Sequence, residues 1–344
     1  MAKINYTQMT FTQYFAQKRI NKNDFFHQIN QIIDWKRIEN ILNKYYNKGQ
    51  DIIGRKAYPA LLLFKMSLLQ TWYGLSDYEV EDCLKDRLSF MNFCGTKIED
   101  DVPDHSILSR FRTVLTKAEV YDMLLKDFND QLEAQGILVK QGVSVDASIT
   151  DSPRKPKGKK VYMYSAENPE QLVEKPKKGV DQEGSWVKKG SQVRYGYKRH
   201  YAADKDTGLV VGVETSKASA HETNYLAACL SKSNLSPGSE VLADKGYASK
   251  SNNALLAQKK LKNRICSKGS RAHPLSSWAK LRNTLISKVR YRIERVFGSI
   301  KRWFQGGVCR YVGQAKTHSQ HVLEALAYNL YRLPRIVMSM ECQK

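Results

Sequence analysis

Three acidic residues stand out from the rest of the chain by their type and their setting. Asp146 lies in the middle of an alternating run at residues 143–149, Asp244 follows a short apolar run, and Glu294 lies in a helical repeat at residues 287–304. Carboxylate oxygens without cysteine or histidine select hard divalent cations such as Mg2+ or Mn2+. Two such ions, about 3.5 to 4 Å apart, would clamp the attacking and leaving oxygens of an in-line phosphoryl displacement, so no protein general base is required.

A β-strand is predicted to carry Asp146. Apolar residues alternate with polar ones through residues 143–149, and Asp146 shares the polar face with Ser144 and Ser148. An ionised carboxylate in the middle of a sheet is costly unless it is paired or bound to a cation. The position of Asp146 therefore favours a role as a cation ligand.

Asp244 comes directly after a second predicted strand, EVLA, and Gly246 provides the sharp exit from it. In α/β sheets, ligands bind just beyond the carboxyl ends of the strands. Asp244 is therefore predicted to lie at a ligand-binding edge of the sheet.

Glu294 belongs to a predicted amphipathic helix. Apolar residues recur at helical spacing through residues 287–304, and a neighbouring strip of the helix carries Arg290, Glu294, Gly298 and Lys301. An ordinary surface helix with i, i+4 ion pairs is the alternative interpretation. Gly298 has two interpretations as well, a close approach of a DNA backbone or a tight helix crossing.

The positive charge of the chain is concentrated in its second half. The net charge is +22, residues 1–136 contain eighteen basic and eighteen acidic side chains, and residues 137–344 contain thirty-eight basic and sixteen acidic ones. Between Lys245 and Leu323, Glu294 is the one acidic residue among eighteen lysines and arginines. This asymmetry favours a bound polyanion, with nucleic acid preferred over a membrane, although a merely solubilising charge is the alternative.

Targeting and redox signals point to a protein of the cell interior. The longest apolar cluster, at residues 60–69, is interrupted by Lys65 and is too short for a membrane span. The six cysteines contain no CxxC pair and no clustered histidine, which argues against a zinc site and a disulfide framework. We therefore expect a cytoplasmic, nucleoid-associated protein with reduced thiols and no membrane partner.

Residues 1–136 are predicted to form a helical domain for binding DNA ends, for multimerisation, or for both. Helices are expected at residues 25–46 and 58–73, after a capping box formed by Ser76 and Glu79, after a cap at Asp104, and at residues 117–135. The third and fourth of these helices could form a DNA-reading pair with Arg110 and Arg112 exposed. A packing or dimerisation bundle is the alternative.

Residues 137–335 are predicted to form a mixed α/β domain, followed by a tail at residues 336–344. A basic loop is expected at about residues 150–192, since five of the nine residues from 152 to 160 are basic. Alternating runs on either side of Asp204–Gly208 predict a hairpin. Further elements are expected as follows: helices at residues 221–230 and 249–260, a strand from residue 261 to 267, and a last helix at residues 320–333.

Several segments together resemble a known family. VDASI, YGYKRHYAADKDTGLV, HETNYL, LADKGY and RIERVFGSIKR are similar to the DDE transposases of bacterial insertion sequences, specifically the insertion-sequence-five group. The run from GRKAYPALLLFKMSLLQTWYGLSDYEVEDCLKDRLSFMNFCG to PDHSILSRFR resembles the helical leading domain of that group. The resemblance extends over residues 32–333.

The resemblance implies a fold, a site and an activity. The fold class would be α/β, a ribonuclease H-like mixed sheet preceded by an all-helical domain. Asp146, Asp244 and Glu294 would be the catalytic carboxylates and would hold two Mg2+ or Mn2+ ions. The family's helix signature is Tyr, two residues, Arg, three residues, Glu, six residues, Lys, and the present chain has Ser287 in place of the tyrosine, with Tyr291 nearby.

Seven cations are predicted to contact DNA, two by the signature and the others by position: Arg290, Lys301, Arg302, Lys245, Arg199, Arg110 and Arg112. The resemblance implies that a homodimer or larger multimer binds double-stranded DNA, namely the terminal inverted repeats of its own element and the target. It would cut a strand there and transfer the 3′ hydroxyl into target DNA. Two alternatives stay open, a repressor of the element ends without chemistry and a metal-dependent nuclease directed by DNA structure.

Overall fold

The computed structural model describes residues 24–46, 57–159, 162–164, 172–174, 177–270 and 272–342. Within these ranges the helices are α1 (Phe25–Ile32), α2 (Trp35–Tyr45), α3 (Ala60–Tyr73), α4 (Asp77–Asp86), α5 (Leu88–Cys94), α6 (His105–Lys117), α7 (Val120–Ala134), α8 (Leu226–Ser233), α9 (Lys250–Gln258), α10 (Ser277–Trp303) and α11 (Gln314–Glu341). The strands are β1 (Gly142–Asp151), β2 (Tyr162–Tyr164), β3 (Leu172–Glu174), β4 (Ser185–Lys189), β5 (Gln192–Asp204), β6 (Val210–Lys217), β7 (Glu240–Ala243) and β8 (Lys262–Ile265). Short 3-10 turns at Glu222–Tyr225 and Lys245–Tyr247 precede α8 and α9.

Side-chain caps mark where three of the seven described N-terminal helices begin. The predicted capping box is present, with the Ser76 side chain bonded to the Glu79 amide and the Glu79 side chain bonded to the Ser76 amide. The Asp104 carboxylate accepts a hydrogen bond from the Ile107 amide at the start of α6. The expected single helix at residues 25–46 is two helices, because the chain is extended at Asp34, whose carboxylate caps α2. The short helix α5 was not predicted.

The main sheet has the order β6-β5-β1-β7-β8, and β4 pairs with the first residues of β5 beside β6. β1, β5 and β6 are antiparallel, whereas β7 and β8 run parallel to β1. The two faces of the sheet carry different helices. Tyr201 on β5 stacks on Phe297 of α10 at 5.3 Å, and its neighbour His200 stacks on Tyr225, before α8, at 4.5 Å. This mixed sheet after a helical region confirms the expected ribonuclease H-like fold class.

The expected basic loop is more ordered at its carboxyl end than its composition suggests. β4 extends the sheet by pairing with β5, and the Asp181 carboxylate is fully buried. The Tyr197 hydroxyl donates to Asp181 at 2.7 Å, so a partner on β5 stabilises this acid inside the fold. The centre of the expected loop, including residues 165–171, lies outside the described residues.

Helix α11 connects the helical region to the sheet. It extends from Gln314 to Glu341, well beyond the predicted limits and through Pro334 into the expected tail. Its Asn329 side chain bonds both the amide and the carbonyl of Val210 on β6, and its Ala327 carbonyl accepts from the Trp72 indole at 2.8 Å. Apolar side chains of both halves of the chain therefore belong to one continuous core. None of the described helices is long and apolar enough to cross a membrane.

Candidate active site

Asp146 lies on β1 at the point where β1 and β7 stop pairing. Their parallel register ends at Val145 opposite Ala243, so Asp146 and Asp244 are the next residues of the two strands. The Asp146 carboxylate accepts from the Ala147 amide at 2.8 Å and from the Arg290 guanidinium at 3.0 Å. Burial raises the pKa of Asp146, and the neighbouring acids raise it further, while Arg290 opposes this effect. Its charged form is therefore held against a desolvation cost.

Asp244 faces the same arginine from the end of β7. Its carboxylate caps the following 3-10 turn through the Lys245 amide at 2.6 Å and lies 3.8 Å from the Arg290 guanidinium. About half of the Asp244 side chain is exposed, whereas Arg290 is buried. Arg290 thus bridges the two acids, which we call the carboxylate pair. The structure brings the predicted strand acids together at the predicted edge.

Glu294 lies on α10 one helical turn beyond Arg290. Arg292 points toward the β5–β6 turn, where it donates to the Lys205 carbonyl, so Arg290 and Glu294 share the opposite side of the helix. Glu294 is exposed, and its carboxylate forms no hydrogen bond or ion pair with any residue that the structure describes. Glu294 therefore does not form the i, i+4 ion pairs of the alternative interpretation with any described residue.

The donors around the carboxylate pair suit a hard cation. They are oxygens, as Mg2+ and Mn2+ prefer, and one buried oxygen close by, the Tyr247 hydroxyl, lacks a partner within the described chain. No group of three described histidine, cysteine or acidic side chains has a metal-holding arrangement. The chemistry of the donor set fits a divalent cation.

Cations continue from Arg290 along α10. Lys301 lies two turns beyond Glu294, near the end of β1, and its neighbours Arg302 and Trp303 are exposed. Partial burial lowers the pKa of Lys301, and three nearby cations lower it further: Arg199, Arg194 and Lys189. Two of these cations are themselves paired with acids, Arg199 with Glu324 and Arg194 with Asp151. Lys245, beside Asp244, is also exposed.

Two of the predicted DNA contacts are wrong, because their side chains are buried in ion pairs. Arg199 is fully buried, and its guanidinium bonds the Glu324 carboxylate of α11 at 2.5 Å. Arg112 is buried beside Asp77, with a contact of 2.7 Å. Arg110 is exposed, as expected, and bonds the Ser106 hydroxyl of its own helix.

Sequence reasoning also missed roles around the carboxylate pair. Arg290 was predicted to contact phosphate, and here its guanidinium donates to Asp146 and forms a longer ion pair with Asp244. Glu222 adds to the effect of burial in raising the pKa of Asp146, and burial and these two acids raise the pKa of Tyr247. The segments that contain Tyr247 and Glu222, LADKGY and HETNYL, were the available signal. Ser287 and Tyr291, the candidates for the signature aromatic position, are both exposed.

The two family models that match the chain both describe a transposase domain. A family model described as "Transposase domain (DUF772)" matches residues 14–114, and one described as "Transposase DDE domain" matches residues 138–330. A cryo-EM structure of the piggyBac transposase synaptic complex with hairpin DNA is similar at 10% sequence identity and a TM-score of 0.45. The match covers 94% of the present chain and 78% of that one, and is too distant to support an argument about the site.

Proposed function

The chain belongs to the transposase DDE domain family, and from that premise we propose that it cuts DNA at the terminal inverted repeats of its own insertion sequence and joins the ends to target DNA. The observation that carries this proposal is the carboxylate pair at the carboxyl end of β7, with Glu294 on the next turn of the helix that supplies Arg290. We propose that the element belongs to the insertion-sequence-five group, because the sequence segments quoted above resemble that group.

Asp146, Asp244 and Glu294 would hold two Mg2+ or Mn2+ ions. When bound, such ions neutralise charge on the reacting phosphate and activate the attacking oxygen. Arg290 keeps the carboxylate pair together by offsetting the repulsion between two acids. Lys301, Arg302 and Lys245 are the accessible cations in position to bind the DNA backbone, and Arg110 is a further candidate on the helical region.

The two steps need no energy-rich cofactor. In cleavage, a water oxygen bonds to phosphorus and the bond to the 3′ oxygen breaks, which leaves a free 3′ hydroxyl and a 5′ phosphate. In strand transfer, that 3′ oxygen bonds to a target phosphorus, and the target's own 3′ oxygen leaves with the proton. Each step exchanges one phosphodiester oxygen for another, so positioning and charge neutralisation are what the protein must supply. Because two element ends must meet, we propose a homodimer or larger multimer on DNA.

The test uses a labelled duplex that joins the element's terminal repeat to its flanking DNA. Wild-type protein, Glu294→Gln and the control Glu341→Gln are compared with Mg2+, with Mn2+ and with chelator. Glu341 is exposed at the far end of α11 and so controls for the loss of a surface charge. We expect metal-dependent cutting at the repeat boundary by wild type and the control, and no cutting by Glu294→Gln.

Two results would replace the proposal. Tight repeat binding without cutting under any metal condition would favour a repressor of the element ends. Cutting that ignores the repeat sequence and follows nicks or branches would favour a structure-directed nuclease.

A further inference from the structure

A fourth acid lies beside the carboxylate pair. Glu222 is the first residue of the 3-10 turn before α8, and a Cβ added to Gly246 would lie 3.5 Å from its Oε2 atom. The Glu222 carboxylate therefore covers the backbone two residues after Asp244.

The position of Glu222 is fixed by its neighbours. The Thr223 hydroxyl donates to the Gly246 carbonyl at 2.7 Å, and the Asn252 amide donates to the carbonyls of Thr223 and Tyr247. These bonds join the turn that carries Glu222 to the turn that follows Asp244. The acid is thus held at the edge of the sheet, where a rigid ligand is useful.

Glu222 has an oxygen to spare. Its Oε1 lies 3.4 Å from the Lys198 ammonium, which is already bonded to the Ala220 carbonyl at 2.8 Å, and its side chain is 28% exposed. Within the described ranges, Oε2 accepts no hydrogen bond. This second oxygen is therefore available to bind a cation.

The Tyr247 hydroxyl supplies an independent sign of a ligand. Tyr247 is fully buried, and its hydroxyl finds no hydrogen-bond partner in the part of the chain that the structure describes. Its charged neighbours include Asp146, Glu222 and Arg290. A buried hydroxyl is rarely left without a partner, so a group that is not part of the protein belongs between these side chains.

We propose that the Glu222 carboxylate is a further ligand of the divalent cation site, an inference that rests on the proposed function. Glu294 and Glu222 would approach the carboxylate pair from opposite faces of the sheet. Glu294 is carried by α10 on the face of Tyr201, whereas Glu222 precedes α8 on the face of His200. Glu222 would then hold a cation from the α8 side of the sheet, and Glu294 would do so from the α10 side.

The test counts bound Mn2+ by the loss of the free-ion electron paramagnetic resonance signal, on the full chain without DNA. The variants are Glu222→Gln, Asp146→Asn and the control Glu214→Gln. Glu214 is matched to Glu222, since its side chain is 24% exposed and lies 3.2 Å from the Lys232 ammonium. We expect Glu222→Gln to weaken one Mn2+ by about 10-fold or more, as loss of a supporting ligand does, and Glu214→Gln to bind like wild type.

Each outcome decides something different. If Glu222→Gln binds Mn2+ like Glu214→Gln while Asp146→Asn loses the ion, Glu222 is not part of the site and the proposed function stands. If Asp146→Asn also binds like wild type, the metal site of the proposed function falls, and this inference with it. Folding is checked by the urea midpoint in chelator, and if Glu222→Gln does not fold, the shorter Glu222→Asp variant takes its place with the same expected loss.

Discussion

Gly298 provides a direct test of the proposed contact between α10 and DNA. It lies inside a 27-residue helix, one turn after Glu294, and a Cβ built on it would meet no described atom within 4 Å apart from its chain neighbours and the nearby backbone of its own helix. The open space excludes a tight helix crossing within the described structure as the reason for a glycine. The explanation that remains from the sequence is a close approach of the DNA backbone to the helix at this point.

Gly298→Ala should therefore stabilise the free protein and impair its action on DNA. Alanine favours the helix interior over glycine by about 0.8 to 1.0 kcal/mol, and no contact offsets this gain. We expect the urea midpoint to rise by the equivalent of about 1 kcal/mol, with an unchanged slope. Binding to the terminal repeat and cutting should both fall, because the added methyl group lies where a phosphate would come close.

Ser299→Ala is the matched control. It changes the adjacent residue of the same helix to the same side chain, at a position about 100° around the axis, and we expect a smaller gain in stability with normal cutting. An unchanged or lower urea midpoint for Gly298→Ala would refute the assignment of an open helix interior. A stabilised variant with full repeat binding and cutting would refute the approach of DNA to Gly298.

Three further predictions concern the ion pairs, the pH dependence and the DNA surface. Arg199→Met should lower the free energy of unfolding by about 3 to 5 kcal/mol, since it leaves Glu324 buried without its partner; the double variant with Glu324→Leu should recover part of this loss in urea unfolding. Burial lowers the pKa of His200 from 6.5 to about 3, so the unfolded chain takes up a proton first as the pH falls. That contribution to stability is complete above about pH 6.5 and is lost toward pH 3. The unfolding free energy should therefore drop by about 2 kcal/mol less from pH 7 to pH 5 in His200→Gln than in wild type. An equal drop in both proteins would contradict this. Lys301→Gln should reduce the slope of log affinity against log salt for repeat DNA by about 0.9, the value for one phosphate contact, and an unchanged slope would remove Lys301 from the interface.

Local signals in the sequence were sufficient for the elements that carry the site. The alternation around Asp146 predicted β1, the apolar run before Asp244 predicted β7, and the period around Glu294 predicted α10. These patterns involve neighbours within one or two turns, so they can be recognised in the sequence without knowing the rest of the fold. The expected positions of the three acids on strand, strand end and helix follow from them.

Long-range pairing explains what sequence reasoning could not predict. Arg199 was expected on the surface, yet its partner Glu324 is 125 residues away on α11, a separation at which no local pattern operates. Arg112 is likewise buried by Asp77 and by the ring of Tyr311, which lies 4.4 Å from its guanidinium. A charged side chain is buried only when its partners arrive from elsewhere in the fold, and the sequence does not state which partners those are.

Arg290 shows how a single residue reconciles the predicted and observed contacts. To contact a phosphate, Arg290 needs N–H donors that are not bonded within the protein. As a partner of Asp146 and Asp244, it uses some of these donors. A guanidinium has five N–H donors, and the contact at 3.0 Å to Asp146 and the longer one of 3.8 Å to Asp244 leave several unused, including the buried Nε. Cations bound by the acids would compete with Arg290 for the same carboxylate oxygens and would weaken both contacts. The guanidinium would then be available to a DNA phosphate. In the free protein Arg290 therefore stabilises the carboxylate pair while it is buried, and the phosphate contact expected of it stays a prediction that requires these contacts to loosen.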